Sequence, residues 1–159
     1  MKRNLLFLIL ICCITVMNAQ QPFKRNTLFI ELGGNGLMAS VNYEREIIKG
    51  TGIRFQAGTG FYGSDLTVPV GLNYLINMGK SKSWLELGTG ATYTKADVHL
   101  YAIADYRKLH INKQYWNLIP SIGVRSVTKE NFVYRIRFTP VINHIGFIPF
   151  IGFSFGKCF

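Results

Sequence analysis

The stretch FIPFIGFSFGKCF, Phe147 to Phe159, decides how the chain is read. Ile151, Phe153 and Phe155 hold one parity, while Gly152, Ser154 and Gly156 hold the other. Successive side chains of a strand point to opposite faces, so the stretch predicts a strand with one bulky apolar face and one small face.

The same alternation recurs upstream. Period-two segments are predicted at Thr27–Gly33, Leu37–Ile47, Ile53–Phe61, Leu66–Ile76, Trp84–Thr94, Trp116–Val127 and Phe132–Ile142, and the quoted stretch is the eighth. Gly33-Gly34-Asn35-Gly36, Gly63-Ser64-Asp65 and Thr128-Lys129-Glu130-Asn131 read as turns between them. A longer connection runs from Lys95 to Tyr115. Eight segments of this kind, most close to the 9–11 residues of a tilted membrane strand, predict an all-β, eight-stranded antiparallel up-and-down transmembrane β-barrel.

A soluble lipocalin-type barrel also alternates, with its apolar face inward. The second face argues against it here. In the third segment Arg54, Gln56, Gly58 and Gly60 oppose Ile53, Phe55, Ala57 and Phe61; in the seventh Val133, Arg135, Arg137 and Thr139 oppose Phe132, Tyr134, Ile136 and Phe138. Glycines on an outer surface weaken strands without benefit, whereas in a narrow lumen small residues leave room for a few large charged ones. The apolar face is therefore expected to meet lipid.

The start of the chain supports export. Lys2 and Arg3 precede an apolar run of 13 residues, Leu5 to Met17, followed by Asn18-Ala19-Gln20. That run is too short for a membrane helix and has the order of a secretory signal, so residues 1–19 are expected to be cleaved and 20–159 to form the barrel domain. Cys12 and Cys13 leave with the signal, and Ile11 before them does not fit a lipoprotein site. Cys158 alone forms no internal disulfide and is assigned no role.

The chain has 18 Lys and Arg against 8 Asp and Glu; without Lys2 and Arg3 the balance is 16 to 8. For an exported chain that basic excess points to anionic lipid headgroups, including those of lipopolysaccharide, rather than nucleic acid. With the mature start on the periplasmic side, the links around Lys49, Lys80 and Lys129 face inward with Lys157, and the long link faces outside.

By parity Glu31, Glu44, Glu46 and Glu86 point into the lumen with Arg54, Arg125, Arg135 and Arg137. Four carboxylates facing four guanidiniums are expected to neutralise one another as a structural ionic network, with a switching ion gate as the sharper alternative.

Other chemistry is weaker. Asp97, His99, Asp105 and His110 lack metal-ligand spacing, so no metal or other cofactor is expected. A lipid A-modifying enzyme needs a nucleophile beside a base; Ser64 shares no motif with His99, His110 or His144, and Ser126 falls at the opposite end. Lys95, Arg107, Lys108 and Lys113, interleaved with Tyr93, Tyr101, Tyr106, Tyr115 and Trp116, read as an interface belt near lipopolysaccharide phosphates. No catalytic residue is assigned.

Phe29-Ile30-Glu31-Leu32-Gly33-Gly34-Asn35-Gly36, Val41-Asn42-Tyr43-Glu44-Arg45, Val68-Pro69-Val70-Gly71-Leu72-Asn73-Tyr74-Leu75 and Leu85-Glu86-Leu87-Gly88-Thr89-Gly90-Ala91 resemble small outer-membrane β-barrel proteins of Bacteroidetes-type bacteria. The architecture is similar to the OmpA and OmpX type of eight-stranded barrel. The resemblance implies an outer-membrane location and brings little on task. Phe153, Phe155 and Phe159 resemble the terminal aromatic signal read by the barrel-assembly machinery, although Lys157 departs from it. The expectation is a monomeric barrel with a structural or surface-interaction role. Its alternatives are a narrow gated ion-conducting, porin-like barrel and the lipid A-modifying enzyme.

Overall fold

The computed structural model describes residues 24–79, 82–95, 116–143 and 146–159. Its strands are β1 (Asn26–Leu32), β2 (Ala39–Glu46), β3 (Ile53–Tyr62), β4 (Asp65–Asn77), β5 (Ser83–Thr94), β6 (Trp116–Val127), β7 (Phe132–Phe138), β8 (Val141–Asn143), β9 (Gly146–Ile148) and β10 (Ile151–Cys158). β7 continued by β8, and β9 continued by β10, each make one wall, so the barrel has eight. Every neighbour is antiparallel and next in sequence, and the ring closes where β1 meets β10, with Thr27 opposite Cys158 and Leu32 opposite Phe153. Closure gives each of the eight walls two neighbours.

The two interrupted walls depart from the continuous segments predicted, and prolines account for the break in β7–β8. Ile122 pairs with Phe138 and Leu118 with Ile142. The same register sets Pro120 opposite Pro140, where neither has an N–H to donate. The ladder therefore lapses at Thr139 and Pro140. Pro69 acts similarly: the β3–β4 pairs lapse between Ala57–Val70 and Gly60–Thr67, opposite this proline. The other wall breaks at Pro149 and Phe150.

Alternation in the barrel follows the sequence parity. On β7, Tyr134, Ile136 and Phe138 are exposed, while Val133, Arg135 and Arg137 are buried. On β10, Ile151, Phe153 and Phe155 face outward and Gly152 and Ser154 inward. Among the described residues, twenty buried side chains are polar or charged and nine are aliphatic, aromatic or cysteine, prolines aside. This inverts the usual globular arrangement, in which the apolar side chains are inside.

Candidate functional site in the barrel lumen

Inward parity on six strands brings seven of the eight predicted ionic residues into one cluster. Glu44 on β2 is its centre: Arg125 binds both its oxygens at 2.6 Å, Arg135 donates to Oε2 at 3.1 Å, and Arg54 donates to Oε1. Glu86 on β5 accepts from Arg125 at 2.7 Å and from Arg135 and Arg137 at 3.2 Å. Glu31 on β1 accepts from Arg137 and, at 3.3 Å, from Ser154. The carboxylates and guanidiniums are at most 2% exposed. Ions so far from water persist only when densely paired and hydrogen-bonded.

Two expectations need correction. Glu46 points inward and is buried, but its carboxylate accepts from the backbone N–H groups of Gly50 and Gly52 at 3.0 and 3.1 Å. It pins the β2–β3 turn: Arg54 stands opposite it in register, but the Arg54 Nε is donated to Glu44 while the Glu46 carboxylate turns to the backbone of the turn. The cluster is consequently four guanidiniums against three carboxylates, not a neutral set of four and four. Neutral side chains share the load. Asn73 donates to Glu44 at 3.2 Å and accepts from Arg137 at 3.4 Å, Ser154 accepts from Arg135 at 3.2 Å, and Arg135 lies 3.7 Å over the Phe29 ring. Phe29, Asn73 and Ser154 share the inward parity of the charged residues, which was the signal available for them.

The Gly33–Gly36 segment is not the simple hairpin turn expected. Gly34–Gly36 form one 3-10 turn that folds into the barrel mouth, with Gly34, Asn35, Gly36 and Leu37 buried. Asn35 donates to the Val70 carbonyl at 3.1 Å, Thr67 donates to the Gly36 carbonyl at 3.1 Å, and Thr92 donates to the Asn35 carbonyl. The opposing walls are glycine where the turn arrives. A Cβ on Gly152 would stand 2.7 Å from the Gly34 Cα, and one on Gly90 would stand 2.8 Å from the Asn35 Cγ. Leu37 then packs with Ile119, Val141 and Ile148, flanked by Tyr62 and Phe150.

The lumen is therefore layered, with an apolar plug at the loop end, the ionic cluster beneath it, and Leu75, Trp84, Val133 and Cys158 buried toward the opposite rim. Between plug and cluster, the space lined by Asn35, Asn73, Ser121 and Arg137 is too tight for a water molecule.

Phe153, Phe155 and Phe159 are exposed on the outer wall. Cys158 is buried at the opposite rim, with its Sγ 3.4 Å from Thr27 Oγ1. Ser126 shares a hydrogen bond of 3.1 Å with Ser83, and Ser64 is exposed in the β3–β4 turn. Residues 1–19, Lys80, Asp97, His99, Asp105, His110, His144 and the basic, aromatic part of the long link beyond Lys95 lie outside the described residues. Among the described residues no group of three or more His, Cys, Asp or Glu is placed to hold a metal.

Fold and site together define a closed eight-stranded antiparallel barrel with a filled ionic lumen, an architecture consistent with the OmpA/OmpX type. Comparison with protein-family models, curated proteins and solved structures returned no match.

Proposed function

We propose that the chain is an integral outer-membrane β-barrel protein, exported through the periplasm, with a structural or surface-interaction role and no enzymatic chemistry. One observation carries this reading: the barrel is inside out. Leu28, Ile30, Ile136 and Phe153, on three adjacent walls, are each 50% exposed or more, while Glu31, Arg135 and Arg137 of the same walls are sealed within. An apolar surface wrapped around a protein far exceeds the patches that soluble monomers expose. In hydrocarbon it needs no cover, and a closed barrel satisfies its backbone polar groups internally.

The filled lumen favours a structural role over conduction, because eight walls leave only the width that side chains occupy. The signal-like start and the resemblance to small Bacteroidetes-type outer-membrane barrels agree with this address. Lipopolysaccharide and other outer-membrane lipids are its surroundings, and the barrel-assembly machinery is its partner during insertion.

Migration in detergent gels tests the proposal. Protein from the membrane fraction is expected to run faster unheated than boiled, as compact barrels do. Recovery as a soluble periplasmic protein would contradict it.

A further inference from the structure

Both strand ends and turns place a set of cations on one rim, the one holding Asn26 and Cys158. Lys49, Lys82 and Lys129 sit exposed in the turns or strand approaches β2–β3, β4–β5 and β6–β7, which spaces them around the ring. Arg45 and Lys157 differ from these. They lie exposed on the outer wall itself, opposite Asn26 and Leu28, and so flank β1 on either side. The Lys157 ammonium lies 5.4 Å from the centre of the Phe132 ring, which stacks on Phe155 at 5.6 Å. Its stem thus follows an aromatic wall while its charge sits at that wall's edge, the posture of a lysine at an apolar–polar boundary.

Acidic groups do little to cancel this rim. The Glu46 carboxylate is turned onto the Gly50 and Gly52 N–H groups, which leaves Glu130 as the exposed acidic side chain there among the described residues. Among the same residues every ion pair lies in the lumen. Among the described residues the opposite rim carries Asp65 and Lys95, one of each sign.

We infer that this rim is a binding surface for the headgroup phosphates of anionic glycerophospholipids in the leaflet it touches. The inference rests on the transmembrane reading above. The position of Arg45 and Lys157 selects the ligand. A soluble polyanion would meet the turn lysines from below, but only a phosphate held at the margin of the apolar belt meets cations on the wall. Zwitterionic lipid offers the same phosphate with a neutralising amine, so discrimination follows net charge. A cation at an anionic surface contributes on the order of a fivefold preference at low salt.

The test uses the full-length barrel folded in phosphatidylcholine bilayers containing a minor share of phosphatidylglycerol. Electron spin resonance with spin-labelled forms of each lipid reads their relative association with the protein. Phosphatidylglycerol is expected to associate more strongly, less so at high salt. The preference should shrink in R45Q/K157Q, shrink further when K49Q, K82Q and K129Q are added, with Lys24 and Arg25 left on the rim, and survive in R45K/K157R. Heat-shifted migration verifies that each variant is folded. Equal association of the two lipids with the wild type would overturn the inference, as would an undiminished preference in the quintuple variant. Entry into bilayers without preference overturns this inference alone; failure to enter any bilayer overturns the transmembrane reading with it.

Discussion

Arg125 lays its guanidinium flat against Glu44, Nη1 donating to Oε1 and Nη2 to Oε2, both at 2.6 Å, across a barrel that separates the two by 81 residues of chain. With its Nε on Glu86 at 2.7 Å, this one side chain ties β2, β5 and β6 through the lumen. Arginine suits the position because its planar fork meets two carboxylates at once.

Glu44→Ala should be among the most damaging single changes. It strips partners from Arg54, Arg125 and Arg135 while leaving them buried. Breaking such a set costs about 3–5 kcal/mol. Urea unfolding of the vesicle-folded protein, followed by tryptophan fluorescence, measures it; a loss no larger than that of an exposed-site variant would contradict the cluster. Arg135→Glu, which sets a third carboxylate beside Glu44 and Glu86, should abolish folding in the same assay.

Glu46→Ala is expected to be milder, at about 1.5–3 kcal/mol, since it removes charge-assisted bonds to two N–H groups in a turn. It shares no hydrogen-bond partner with Glu44 among the described bonds, so the two losses should add in the double variant. Strong non-additivity in the same urea titrations would return Glu46 to the cluster.

Gly34→Val should expel the plug. Gly34 has φ +68°, and a Cβ there would lie 2.7 Å from the Glu31 carboxyl carbon. A branched residue at left-handed φ adds backbone strain of about 1–2 kcal/mol to that clash. Limited proteolysis should cleave near residue 35 in the variant and spare the wild type. In planar bilayers the wild type should give no resolvable openings; sustained ohmic steps would favour the conducting alternative.

Ile136→Arg separates lipid from water as the outer solvent. Ile136 is 58% exposed, so in water an arginine there would be nearly neutral. Near the middle of a bilayer it should cost about 2–4 kcal/mol. Unfolding of the vesicle-folded variant reads the difference directly.

Strand parity made the wall and the lumen legible, because one residue of register error would have exchanged Arg135 with Ile136 across it. All eight inward ionic residues among the described ones could be named on that basis. Parity does not say how high in the barrel a side chain sits or which neighbour it reaches, so Glu46 could not be told apart from Glu44. The plug was hidden for another reason. Gly33-Gly34-Asn35-Gly36 has the local chemistry of a hairpin turn, and its inward fold depends on Gly90 and Gly152, far away in sequence, leaving space for it. The break at Pro140 likewise needed the register that sets Pro120 opposite it.

The most direct test of the central claim, that the apolar outer wall faces hydrocarbon, is a spin-label accessibility scan in lipid vesicles. Labels would replace Leu28, Ile30, Ile136, Phe153 and Lys157 one at a time in a Cys158→Ser background. High collision rates with oxygen and low rates with a water-soluble nickel complex are expected at Leu28, Ile30, Ile136 and Phe153. Nickel access should rise at Lys157, on the rim. High nickel access at Ile30, Ile136 and Phe153 would place that wall in water and contradict the account.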